Sequence, residues 1–199
     1  MKVVDCIQGT PEWMAARCGI PTASNFDKIV DTTGKPSKQR TKYLYQLAGE
    51  RIAGKIEETH QNAAMLRGIE MESEARGLYS LLSGQEVVQV GLCLSEGKAG
   101  YGASPDGLIG EDGGVEIKCP LVSTHVSYLL ANKLPSDYFQ QVQGGLLVTG
   151  RKWWDFVSYY PGLRPLLIRV EPDKAFQKAL KVELELFVNE LDDIVAKIK

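Results

Sequence analysis

Residues 104–118, Ser-Pro-Asp-Gly-Leu-Ile-Gly-Glu-Asp-Gly-Gly-Val-Glu-Ile-Lys, restrict this chain more tightly than any other stretch. Residues 115–118 have the composition of a short strand, Gly113-Gly114 reads as the turn before it, and Asp106 falls near the end of the preceding strand. Alternation along a strand points Glu116 and Lys118 to one face and packs Ile117 behind them. A hairpin return then brings Asp106 beside Glu116. Two carboxylates and an ammonium on one patch make a poor core. Their oxygens can hold a hard divalent cation such as Mg²⁺, and the lysine can serve an attacking water. Glu-x-Lys alone is also the pattern of a solvated sheet face, so the decision falls to the rest of the chain.

At 199 residues, 44% hydrophobic and 24% charged, the chain fits one large globular domain spanning 1–199. No apolar stretch follows the first five residues, and no run approaches the ~20 apolar residues of a membrane span, so a cytoplasmic location and no membrane partner are expected. The four cysteines are scattered without a Cys-x-x-Cys pair, which argues against zinc and against a disulfide framework. A net charge of -2 excludes a sponge for nucleic acid but not a DNA enzyme, because metal-binding acids offset local basic patches. One such patch is Lys35, Lys38, Arg40 and Lys42, which could equally be a solvated helix start.

Along the chain, Thr10 caps a short helix that carries Pro11 in its first turn, Trp13 and Arg17. Thr22-Ala23-Ser24 opens a second helix through Ile29, and a longer one after Ser37 buries Leu44, Leu47, Ala48 and Ile52. In a helix over 63–83, the positions Gly68, Met71, Ala75, Leu78, Tyr79 and Leu82 share a side. Glu70 and Glu74 fall opposite it, but Glu72 falls within it, and an inward carboxylate must be paired or bound to metal. Residues 86–94 and 100–104 read as strands, and 122–132 and 136–148 as helices. In the latter, Gln141 shares a face with Tyr138, Gly145 and Val148, which makes it the amide aimed at a site. Strands at 153–159 and 165–171 follow, with Trp153 and Trp154 in the core on opposite faces. A last helix over 174–199 buries Phe176, Leu180, Leu184, Phe187, Leu191, Ile194 and Ile198. This order gives an α/β or α+β fold with a central mixed sheet flanked by helices.

Four blocks, in order, resemble the phage lambda-type exonucleases, also called YqaJ-like viral recombinases, within the PD-(D/E)xK nuclease superfamily. They are Gln8-Gly9-x-x-x-Trp13-x-x-x-Arg17-x-Gly19-x-x-Thr22-Ala23-Ser24, Gly68-x-x-x-Glu72, Ser104-Pro105-Asp106-Gly107-Leu108 through Glu116-x-Lys118-Cys119-Pro120, and Tyr138-x-x-Gln141-x-Gln143 followed by Trp153-Trp154. The resemblance implies a restriction-endonuclease-like core and a Mg²⁺-dependent 5′-to-3′ exonuclease, with Mn²⁺ able to substitute and two ions per site. It implies that Asp106, Glu116, Glu72 and the Ile117 carbonyl bind metal, and that Lys118 serves the water. Arg17, Ser24, Ser104 and Gln141 would hold a terminal 5′ phosphate, and Met65 would be a strand-separating wedge. It further implies a homotrimeric ring acting on double-stranded DNA ends, and a single-strand annealing protein as partner, in a bacterial host carrying phage or prophage. Two other readings stay open: a PD-(D/E)xK endonuclease, and a non-catalytic DNA-end-binding protein. A hydrolase built on Ser104 and His125 lacks the G-x-S-x-G context. The loop over 31–39 aligns poorly with the family, and Gly144-Gly145 stands where larger residues are expected.

Overall fold

The computed structural model describes residues 1–57, 63–97 and 100–199, with the side chains of 63–65 and 69 outside that description. Its elements are β1 (Lys2–Val4), α1 (Pro11–Arg17), α2 (Arg40–Ala53), α3 (Ala63–Ser83), β2 (Leu92–Leu94), β3 (Gly102–Ala103), β4 (Gly107–Ile109) and β5 (Gly113–Lys118). There follow α4 (Val122–Ala131), α5 (Phe139–Thr149), β6 (Trp153–Ser158), β7 (Leu166–Val170) and α6 (Lys174–Ile198). Two 3₁₀ turns, Ala23–Lys28 and Ser136–Tyr138, precede α2 and α5. The strands form two sheets, β1-β2-β3 and β4-β5-β6-β7. The second is mixed: β4 and β5 make an antiparallel hairpin, β6 lies parallel to β5, and β7 returns antiparallel to β6. A parallel neighbour requires a crossover, and α4 and α5 supply it.

The larger core fills one face of the mixed sheet, where Trp154 and Phe156 of β6 meet Phe26 and Ile29, Tyr43 and Leu44 of α2, and Leu180, Leu184, Phe187 and Leu191 of α6. Each such side chain contributes roughly 1.5–3 kcal/mol when fully buried. The smaller core lies on the opposite face, where Val115 and Ile117 of β5, with Val157 and Tyr159, pack on Ala75 and Tyr79 of α3. The sheet alternation predicted for 115–118 therefore holds: Ile117 faces α3, and Glu116 is buried on the other side.

Several expectations are corrected. Gly113-Gly114 is not the turn but the start of β5, and the turn lies at 110–112, with Gly110 at φ 49°. The two glycines are needed for packing, since a Cβ on Gly113 would stand 2.2 Å from the Trp153 ring and one on Gly114 2.4 Å from that of Trp154. Gly144 is explained the same way, because a Cβ there would come within 2.5 Å of Phe26, so α5 lies closer to the 3₁₀ turn than a larger residue permits. The second helix is that 3₁₀ turn, Ala23–Lys28. Of the strand expected over 86–94, only Leu92–Leu94 is laddered, while Val88 makes an isolated bridge to Leu108. Ile52, Leu82 and Ile198, each in the last turn of its helix, are 44%, 56% and 62% exposed rather than buried. β1, which pairs with β2, is an addition to the predicted order.

Candidate active site

The hairpin β4–β5 carries the acids. Glu116 is buried, and its Oε1 meets Lys118 Nζ at 2.5 Å. Asp106 precedes β4, and its Oδ2 accepts the Ile117 backbone N–H at 2.6 Å, which fixes the carboxylate beside β5. Gln141, on the first turn of α5, donates from Nε2 to Glu116 Oε1 at 2.5 Å. Its neighbours turn away as helical phase predicts: Gln140 donates to the Val30 carbonyl and Gln143 to that of Glu171.

Burial and then the charge of Asp106 push the Glu116 carboxyl up to about 7, against the opposing pull of Lys118. Asp106 is raised as well, chiefly by burial. Burial alone would lower Lys118, but Glu116 and Asp106 outweigh it and hold its pKa above the ordinary lysine value. Glu72, on α3, is raised by burial and by Asp106, and its carboxylate is paired with Arg76 one turn along the helix. Among the described residues no three of His, Cys, Asp and Glu form a ready-made metal cage. Glu72 thus faces the acids electrostatically, while its oxygen is engaged elsewhere.

A second group faces the acids. Arg17, at the end of α1, donates from Nη2 to Thr22 Oγ1 at 2.9 Å and to Ser24 Oγ at 3.3 Å. Its guanidinium lies 4.2 Å from the centroid of the Trp13 ring, one helical turn back. Trp13 Nε1 donates to Ser104 Oγ at 3.1 Å and to the Gly91 carbonyl at 3.3 Å. Gln8 spends its amide protons on the carbonyls of Val90 and Pro105, holding the segment that delivers Ser104 and Asp106.

One cavity of about 130 Å³ is lined by both groups: Asp106, Glu116, Lys118 and Gln141, with Arg17, Ser24 and Ser104 opposite. Of the predicted residues it excludes Glu72 and Ile117, whose side chain faces α3, and the wedge candidate Met65 lies outside the described side chains. Gln8 and Trp13, which also line it, received no role in the sequence reading. The signal for Trp13 was its i, i+4 spacing to Arg17, which puts both on one helix face. Other side chains have plain structural duties. His125 is buried with one ring nitrogen on Ser158 Oγ and the other on the Arg164 carbonyl. Trp154 is buried, while Trp153 is partly covered by Arg169 at 3.8 Å. In the basic run Arg40 pairs with Glu190, and Lys35, Lys38 and Lys42 are exposed.

The family model of the YqaJ-like viral recombinase domain matches residues 12–152. Comparison with curated protein sequences gives no match. The fold is similar to that of LHK-Exo in complex with dAMP, with a TM-score of 0.87 and 37% identity over 96% of each chain. It is equally similar to the alkaline exonuclease LHK-Exo from Laribacter hongkongensis, with a TM-score of 0.87 and 37% identity over 95% of this chain and 96% of that one. A phage related exonuclease from Haemophilus somnus 129PT shares the fold at a TM-score of 0.70 and 14% identity, over 90% of this chain and 96% of that one.

Proposed function

Because this chain belongs to the YqaJ-like viral recombinase domain family, we propose that it is an exonuclease acting 5′-to-3′ on one strand of linear double-stranded DNA. It leaves 3′ single-stranded tails for the single-strand annealing protein of a phage recombination system. In this proposal residues 1–199 are one nuclease domain, assembled as a homotrimeric ring in the cytoplasm of a bacterial host. The observation that carries the reading is the shared cavity, in which an acid-and-lysine wall faces a guanidinium-and-hydroxyl wall. The Gln141–Glu116 hydrogen bond sets an amide beside the acids in that cavity. LHK-Exo, an alkaline exonuclease crystallised with a deoxynucleoside monophosphate, supports a DNA substrate.

The donor set fits Mg²⁺, or Mn²⁺ in its place. Asp106 and Glu116 are hard oxygen ligands held above the ordinary carboxylate range, a condition that a divalent cation relieves. Asp106, Glu116 and the Ile117 carbonyl would hold it, with Glu72 joining once it gives up Arg76, and three carboxylates can serve two ions. When bound, the cation opposes the negative charge that builds on the phosphodiester. Lys118, paired with Glu116, serves the attacking water by orienting it or helping to deprotonate it. Arg17, Ser24, Ser104 and Gln141 bind the terminal 5′ phosphate, Gln141 from its place beside Glu116. This grip sets the next phosphodiester over the acids.

Linear and covalently closed duplexes of one sequence, each with Mg²⁺ or EDTA, test the reading. Digestion of the linear form alone, in Mg²⁺ alone, is expected. Cutting of the closed circle would favour an endonuclease, and end binding without digestion a non-catalytic clamp. Light scattering tests the ring, which a stable monomer of 21.9 kDa would remove.

A further inference from the structure

We propose that Trp13 is a positioning residue that fixes the Ser104 hydroxyl as a donor and seats the Arg17 guanidinium, making this wall selective for a dianionic terminal phosphate. The inference rests on the reading of Arg17, Ser24, Ser104 and Gln141 as a 5′-phosphate pocket.

The argument turns on hydrogen-bond polarity. An indole N–H can only donate, and a serine hydroxyl has one proton. Ser104 Oγ accepts from Trp13 Nε1 at 3.1 Å, so its own proton must point elsewhere. Among the described residues no protein acceptor takes that proton, and Ser104 lines the cavity. The hydroxyl is thereby set to donate inward. Arg17 also has no acceptor atom. Its Nη2 is anchored on Thr22 and Ser24, its central carbon lies over the Trp13 ring at 4.2 Å from the centroid, and its remaining N–H groups are unspent on those two hydroxyls. A guanidinium held on an aromatic face keeps its orientation when its ligand leaves. Trp13 thus touches both donors at once: one through its ring edge and one through its ring face.

The bland alternative is that Trp13 is packing. A packing tryptophan would satisfy its N–H on the Gly91 carbonyl alone, whereas here it is shared with a side chain of the cavity wall. The ligand that suits such a wall is one that only accepts. A phosphate monoester with both protons lost offers three acceptor oxygens, whereas its monoanion sets a proton against the donors and a 5′-hydroxyl end carries no charge.

Equilibrium binding of 5′-phosphorylated and 5′-hydroxyl duplexes in EDTA, where no turnover occurs, reads the effect directly. The proteins are wild type, Trp13→Phe, Trp13→Ala, Ser104→Ala and the Trp13→Phe/Ser104→Ala double variant. Phe keeps a ring face beneath Arg17 and lacks the N–H. Trp13→Phe is expected to lower the phosphate-over-hydroxyl preference about tenfold, the loss typical of one charge-assisted hydrogen bond. The double variant should be no worse than Ser104→Ala, since Trp13 acts through Ser104 in this term. Trp13→Ala, which removes the ring face as well, should lose more than Trp13→Phe. Retention of full preference by Trp13→Phe, losses that multiply in the double variant, or an equal loss on both ends would each overturn the proposal. Wild type with no preference at all would instead overturn the phosphate pocket itself.

Discussion

The two walls of the cavity solve opposite problems. The acid wall comes from one hairpin, and its groups are badly satisfied as they stand: Asp106 and Glu116 are both raised, and Lys118 is drawn between them. The donor wall comes from α1, a 3₁₀ turn and the end of β3, and its groups are already held by one another. In the proposed reading the first wall waits for a cation and the second is set in advance. Removing charge should therefore help the acid wall fold even as it destroys function, whereas removing a group from the donor wall should cost function with little effect on folding.

The largest effect is expected at the acids. Glu116→Gln or Asp106→Asn should cut DNA digestion by orders of magnitude while leaving the metal-free melting temperature unchanged or higher, since a repelled, buried carboxylate is neutralised. Lys118→Ala should also lose roughly 10²–10⁴-fold in turnover. Unlike the others, it should lower the metal-free melting temperature, because two carboxylates lose their shared cation, and added Mg²⁺ should restore stability. Melting curves with and without Mg²⁺ decide it. If Glu116→Gln destabilises the metal-free protein as much as Lys118→Ala does, the acid wall is not frustrated and the contrast fails.

The same contrast explains what could be read from sequence. Asp106, Glu116 and Lys118 lie within one local hairpin, so strand alternation and short separation in sequence were enough to bring them together. Gln141 followed from helical phase, because α5 is regular. The misreadings have tertiary causes. Gly113-Gly114 looks like a turn because the tryptophan rings that require the two glycines sit on β6, distant in sequence. Trp13 went unassigned because its partner Ser104 is 91 residues away. The i, i+4 pairing of Glu72 with Arg76 was open to view, yet hydrophobic phase says only which side a residue faces, not which charge claims it.

A smaller effect is expected on the donor wall. Losing a charge-assisted hydrogen bond costs roughly 1.5–3 kcal/mol. Arg17→Ala should accordingly slow digestion of 5′-phosphorylated ends by about one to two powers of ten, and digestion of 5′-hydroxyl ends much less. Its melting temperature should stay close to that of wild type. Comparable loss on both ends would make Arg17 a structural residue and erase the difference between the walls.

The smallest effect sharpens the comparison through pH. Glu116 is held up to about 7 from an ordinary 4.5, so in the metal-free protein it keeps a proton that the unfolded chain has already released. The sign follows: between these values the folded state binds more protons, so this group's contribution to stability is full below about 4.5 and is lost as pH rises through 7. A divalent cation needs the carboxylate ionised and must displace that proton. With a single group near 7, the ionised fraction rises about tenfold from pH 6 to pH 8, and Mg²⁺ affinity should rise by about the same factor. Binding of the terminal phosphate to the donor wall involves no such proton. Titration calorimetry with Mg²⁺ at the two pH values, in buffers of different ionisation enthalpy, measures both the affinity and the protons released. In Glu116→Gln the pH dependence should flatten. If that variant keeps the full tenfold change, the proton resides on Asp106 or Glu72, and the frustration of the acid wall is centred on one of them.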